Sequence, residues 1–246
     1  MSHTSAASRS SVGRRRPPSG VLVGLALAAG FLWAPVWVTG GRLGTNPFDD
    51  GPIRTLARSE LTAWLGSGRD TLGADLARAV TDWRLFHMVK AVLALMLLAV
   101  ALACVRRLGQ AVSRRLAGAT ALAALIALAA NVQGAITPLA SLASFGPIRI
   151  GGGNDPTAAL ATELTGSLAW PLLLEDFTRF HVTMAIIAVI ATLGLGVLTA
   201  RALVRRRTAA TVSLGLMALA WALIAAANVS TALAPASALL AALASR

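Results

Sequence analysis

Asp82-Trp83-Arg84-Leu85-Phe86-His87 stands directly before an apolar run at residues 88–105, and a near copy, Asp176-Phe177-Thr178-Arg179-Phe180-His181, stands directly before another at 182–204. A short polar and aromatic mouth opening onto about 20 apolar residues is the layout of a helix entering a bilayer. Three further runs of the same kind lie at 21–38, 116–136 and 209–234. The expected fold is therefore an all-α integral membrane protein with five transmembrane helices.

Composition agrees with that assignment. Of the 246 residues, 56% are hydrophobic and only 13% charged, with a mean hydropathy of +0.71, which exceeds what a soluble core of this size needs. Cys104 is the only cysteine, so no intrachain disulfide, CxxC pair or cysteine-based zinc site can form. The formal charge of +12 would suggest nucleic acid if it formed a stripe, but its placement gives it another meaning.

Arg9, Arg14, Arg15, Arg16, Arg106, Arg107, Arg114, Arg115, Arg201, Arg205, Arg206 and Arg207 occupy the N-terminal tail and the connections after the second and fourth spans, where no acidic residue occurs. Every Asp and Glu falls in the other two connections, 40–84 and 137–179. The positive-inside rule then predicts a cytoplasmic N-terminus, two outer segments and an outer C-terminus in the cytoplasmic membrane. The excess charge is a topology signal and a face for anionic lipid, and no nucleic-acid partner is expected.

Residues 1–20, rich in Ser, Arg and Pro without apolar periodicity, read as a disordered basic tail, and 21–246 as one transmembrane bundle. The first span is longer than a signal-peptide core and ends without an A-x-A site, so it is expected to remain as an anchor. In the first outer segment Ile53, Leu56, Ala57, Leu61, Trp64 and Leu65 recur at spacings of three and four, which predicts an amphipathic helix. A second short helix is expected at 71–83. In the other outer segment a Gly151-Gly152-Gly153-Asn154 turn precedes an Asp155-Pro156 helix start.

Three features recur in one order. Gly51-Pro52-Ile53-Arg54 matches Gly146-Pro147-Ile148-Arg149, Phe86-His87 matches Phe180-His181, and Ala130-Asn131-Val132 with Pro138 matches Ala227-Asn228-Val229 with Pro235. The Gly-to-His distance is 36 residues in one copy and 35 in the other, and the Asn-to-Pro distance is 7 in both. Two spans per copy keep one orientation, which predicts a parallel internal repeat of a two-helix unit with equivalent residues at equal depth. His87, His181, Asn131 and Asn228 then all lie near the outer edge of the hydrocarbon.

Several chemistries suit those residues. Two imidazoles at one depth are the axial ligands of a b-type haem, with Arg84 and Arg179 placed for its propionates. A zinc site would need His87, His181 and an outer carboxylate, because Asp82 and Asp176 lie about 140° around the helix from their own histidines. The bland alternative makes Trp83, Phe86, Phe177 and Phe180 interfacial anchors, the histidines hydrogen-bonded to neighbours, and the asparagines interhelical glue. Pro138 and Pro235 simply end their helices.

No Walker A loop, HExxH or GxSxG occurs, and no span carries paired mid-depth carboxylates. No catalytic residue and no metal ligand set is assigned. The leading expectation is a non-catalytic multi-pass membrane protein whose duplicated outer face binds a partner protein, lipid or small ligand. A haem-binding electron-transfer protein using His87 and His181 comes second. A small-solute permease, with Asn131 and Asn228 on its path, comes third.

Overall fold

A computed structural model describes residues 19–44, 51–145 and 166–244. The basic tail to residue 18, the Gly146-Pro147-Ile148-Arg149 match, the triple glycine and the Asp155-Pro156 helix start lie outside the described residues. The described residues form helices joined by short turns, without strands: α1 (Ser19–Val38), α2 (Gly51–Gly66), α3 (Ala74–Arg107), α4 (Ala111–Ile136), α5 (Pro138–Ala143), α6 (Ala169–Val204), α7 (Thr208–Leu233) and α8 (Pro235–Ala244). Five of them, α1, α3, α4, α6 and α7, are long and apolar enough to cross a membrane.

The helix expected at 71–83 is not separate, because α3 runs unbroken from Ala74 to Arg107. Nothing in this stretch interrupts a helix, since it contains neither Gly nor Pro. At 1.5 Å per residue, α3 is about 51 Å long and α6 about 54 Å, against a hydrocarbon core of about 30 Å. Both helices therefore continue several turns beyond their apolar runs, at the end where the acidic residues lie.

α1, α3, α4, α6 and α7 pack side by side in that order, α3 with α4 and α6 with α7 along most of their lengths, and α4 with α6 over a shorter stretch. Within these helices many large aliphatic side chains stay exposed, among them Val92, Leu95, Ile186, Ile190, Leu193, Leu216 and Leu223. A lipid surround makes that exposure cheap; water would not.

The buried core sits elsewhere. Ile53, Leu61, Trp64 and Leu65 from α2 pack with Leu76, Trp83 and Phe86 from α3, Leu139 and Leu142 from α5, Trp170 and Leu173 from α6, and Leu239 and Leu243 from α8. All belong to the acidic end, where they build a cap. The amphipathic face read in α2 is the face that enters it, with Ile53 fully buried and Leu56 partly so. Trp83 and Phe86, expected as interfacial anchors, are instead core residues, each 7% exposed, because α2 and α5 cover them.

Pro138 and Pro235 do more than end helices. Each is the first residue of the next one, α5 and α8, the position where a missing N–H costs nothing. At the other side of the cap, Gly40, Gly41 and Gly44 adopt positive φ after α1 and turn the chain back. That turn delivers Arg42 to Asp82, where Nε and Nη2 meet the two carboxylate oxygens at 2.8 and 2.7 Å. Lys90 links α3 to α1 lower down, its Nζ lying 5.0 Å from the Phe31 ring of α1 and 4.5 Å from that of Phe86.

Candidate functional site

His87 and His181 each meet an asparagine of the following apolar helix. His87 Nδ1 lies 2.9 Å from Asn131 Oδ1, and His181 Nδ1 lies 2.8 Å from Asn228 Oδ1. In both cases the asparagine Nδ2 donates to the carbonyl four residues back, Ala127 O at 2.6 Å and Ile224 O at 2.8 Å. That second bond fixes which end of the amide faces the ring. The oxygen faces the histidine, so Nδ1–H is the donor in each pair.

Aromatic residues hold each ring in place. Trp83 stands one helical turn before His87, edge-on at 4.5 Å, with Phe86 at 5.6 Å. Phe177 and Phe180 take the same positions about His181, at 4.5 and 5.3 Å. The two latches differ behind the ring. A Cβ added at Gly134 would lie 2.7 Å from His87 Cδ2, so the imidazole rests on the bare backbone of α4. Three residues after Asn228, the same offset carries Thr231.

The carboxylates that open the two mouths have separate partners. Asp82, 5% exposed, is held by Arg42. Asp176 accepts the backbone N–H of Ala140 at 2.7 Å, so a side chain of α6 satisfies a donor in the first turn of α5. Two further bonds cross between helices: Gln133 Nε2 of α4 donates to Phe180 O of α6 at 3.3 Å, and Trp83 Nε1 of α3 to Ser141 Oγ of α5 at 3.1 Å. Arg84 is exposed, and Arg179 is exposed and paired with Glu175 of its own helix.

These contacts bear on each chemistry considered. A haem between His87 and His181 needs both Nε2 atoms to face one gap, but α3 does not pack along α6, and each ring is turned to its own asparagine. His87 Nε2 is buried without a hydrogen-bond partner, sealed inside its helix pair. The residues in this arrangement do not fit a haem shared by the two histidines. Nor, among the described residues, do three His, Cys, Asp or Glu side chains come together as a metal site would require. Asn131 and Asn228 have both ends of their amides engaged, which leaves neither turned toward a solute path.

The latches themselves carry a measurable energy. Hydrogen bonds between membrane helices average about 0.6 kcal/mol and reach about 1.7. A double-mutant cycle of His87→Ala with Asn131→Ala is expected to give a coupling near the upper figure, since Asn131 is only 6% exposed. The cycle of His181→Ala with Asn228→Ala should fall near the lower one. Equal couplings in a detergent unfolding assay would count against a role for burial.

The arrangement can hold helices and present a surface. Compared with known protein families, with curated proteins and with solved structures, the chain matches none.

Proposed function

We propose that this chain is a non-catalytic multi-pass protein of the cytoplasmic membrane, built from a duplicated two-helix unit, whose outer cap binds a partner protein. The observation that carries the proposal is the position of the core: the packed apolar cluster lies in the cap, while the apolar helices keep their aliphatic side chains outward. A chain that invests its packing in an ordered extramembrane surface is suited to recognition. The recurring His–Asn latch and its aromatic flanks support the duplication, and the separation of arginines from carboxylates supports a cytoplasmic N-terminus.

Topology is tested with single cysteines introduced into a Cys104→Ser background. A membrane-impermeant maleimide applied to intact cells is expected to label Ser67→Cys, beside α2, and to spare Ser113→Cys at the start of α4. The reverse pattern would invert the proposed orientation. Photo-crosslinking residues at half-buried Glu60 and exposed Arg69 should then yield a discrete protein adduct that is absent from Leu216 on α7. Adducts of equal abundance at all three positions would defeat cap-specific binding.

A further inference from the structure

α4 and α6 part from each other below the cap, and between them lies a groove of about 440 Å³. Its walls include Leu122, Leu125 and Val132 of α4 and Ile187, Gly194 and Leu198 of α6, with Trp221 of α7 contributing an aromatic ring. Along α4 the lining runs from Leu122 to Val132 and along α6 from Ile187 to Leu198, so the groove is about 16 Å long and runs through the apolar part of the chain. Glycines between membrane helices usually let backbones touch. Here a Cβ added at Gly194 or at Gly118 would meet nothing within 4 Å, so these glycines leave space.

The register of both helices continues from the groove to an arginine. On α4, positions 115, 118, 122, 125, 129 and 132 follow one heptad stripe, which ends at Arg115. On α6, positions 187, 191, 194, 198 and 201 do the same and end at Arg201. Both arginines are exposed, and no carboxylate lies in the tail or connections at that end of the chain. An apolar slot thus runs between two helix stripes that both end in a cation on the side away from the cap.

We infer that this groove binds one acyl chain of an anionic phospholipid from the cytoplasmic leaflet, with its phosphate between Arg115 and Arg201. A helix from a second copy fits poorly: about 10 Å across and as long as the groove, it would fill more than ~1,200 Å³. It would also bring its own arginines to the same end. The inference rests on the membrane orientation proposed above and is independent of partner binding at the cap.

The test uses the full chain reconstituted in phosphatidylcholine vesicles containing a minor fraction of phosphatidylglycerol, with bromines on the acyl chains of one lipid or the other. The readout is the quenching of Trp221, obtained as the difference between the wild type and Trp221→Phe. Brominated phosphatidylglycerol is expected to quench Trp221 beyond its share of the bilayer. Each arginine removed, Arg115→Ala or Arg201→Ala, should lower that preference about fivefold, whereas Arg106→Ala, off the groove, should leave it unchanged. Gly194→Leu, placed in open space and so compatible with folding, should abolish quenching by either lipid.

Equal quenching by both headgroups would overturn the inference, as would a preference that survives in the double arginine variant. No quenching by either lipid in the wild type would mean that the groove is filled by protein, and would overturn it too. Loss of the arginine effect together with inverted cysteine labelling would trace the failure to the orientation.

Discussion

Trp83→Ala is expected to lower the stability of the protein by about 3–5 kcal/mol, the range for removing a large buried aromatic side chain. Trp83 is 7% exposed, stacks on Phe86 at 5.2 Å, meets Phe145 edge-on at 5.3 Å and donates to Ser141 Oγ. Its loss opens a cavity where α3 passes beneath α5, and it also frees one flank of His87. Trp37→Ala is the control, because that ring is 81% exposed and an exposed substitution stays within about 0.5 kcal/mol. Both are read as shifts in the midpoint of SDS-induced unfolding in mixed micelles. Equal shifts would mean that the cap core does not govern stability.

Gly134→Leu should be the most damaging single change in α4. Even a methyl group at this position would lie 2.7–2.8 Å from three atoms of the His87 ring. The ring has little freedom to retreat, since Asn131 holds Nδ1 and Trp83 and Phe86 flank it. Gly134→Ala sets a gain of about 1 kcal/mol in helix propensity against an overpacking cost of about 1–3 kcal/mol. Overpacking wins, and leucine adds to it. Thr231→Leu, at the matching offset in α7, should cost less, because a side chain is already accommodated there.

The diagnostic result is compensation. His87→Ala in the Gly134→Leu background empties the space that the leucine needs, so the double variant should be more stable than Gly134→Leu alone. Failure of that rescue would mean that the close approach of α3 and α4 at this point is not what limits packing.

How much of this was legible in the amino acids differs from feature to feature. The apolar face of α2 was, because Ile53, Ala57, Leu61, Trp64 and Leu65 keep helical spacing and all five are buried. The full length of α3 was obscured by Asp75, Arg78, Asp82 and Arg84, which lower the hydropathy without interrupting the helix. The absence of Gly and Pro from Ala74 to Arg107 was the better signal.

Trp83 suggested a membrane-interface residue because its neighbours in sequence are polar; only the return of α5 over it makes it core. Gly134 had a visible cue, since it lies one turn from Asn131 on the same face of α4. The pairing of Asp82 with Arg42 had none: the partners are 40 residues apart, and the contact depends on a turn of three positive-φ glycines.

The length of α3 and α6 has a consequence for what solvent can reach. Inserted as proposed above, each has one part in hydrocarbon and another, some four turns long, in the cap that water surrounds, so a single unbroken helix joins two solvents. Burial in the cap is driven by exclusion of water, whereas packing among the apolar stretches is not. A denaturant acting from the aqueous phase therefore attacks one end of the rod, while lipid composition acts on the other. The two halves of the molecule answer to different reagents although no joint separates them.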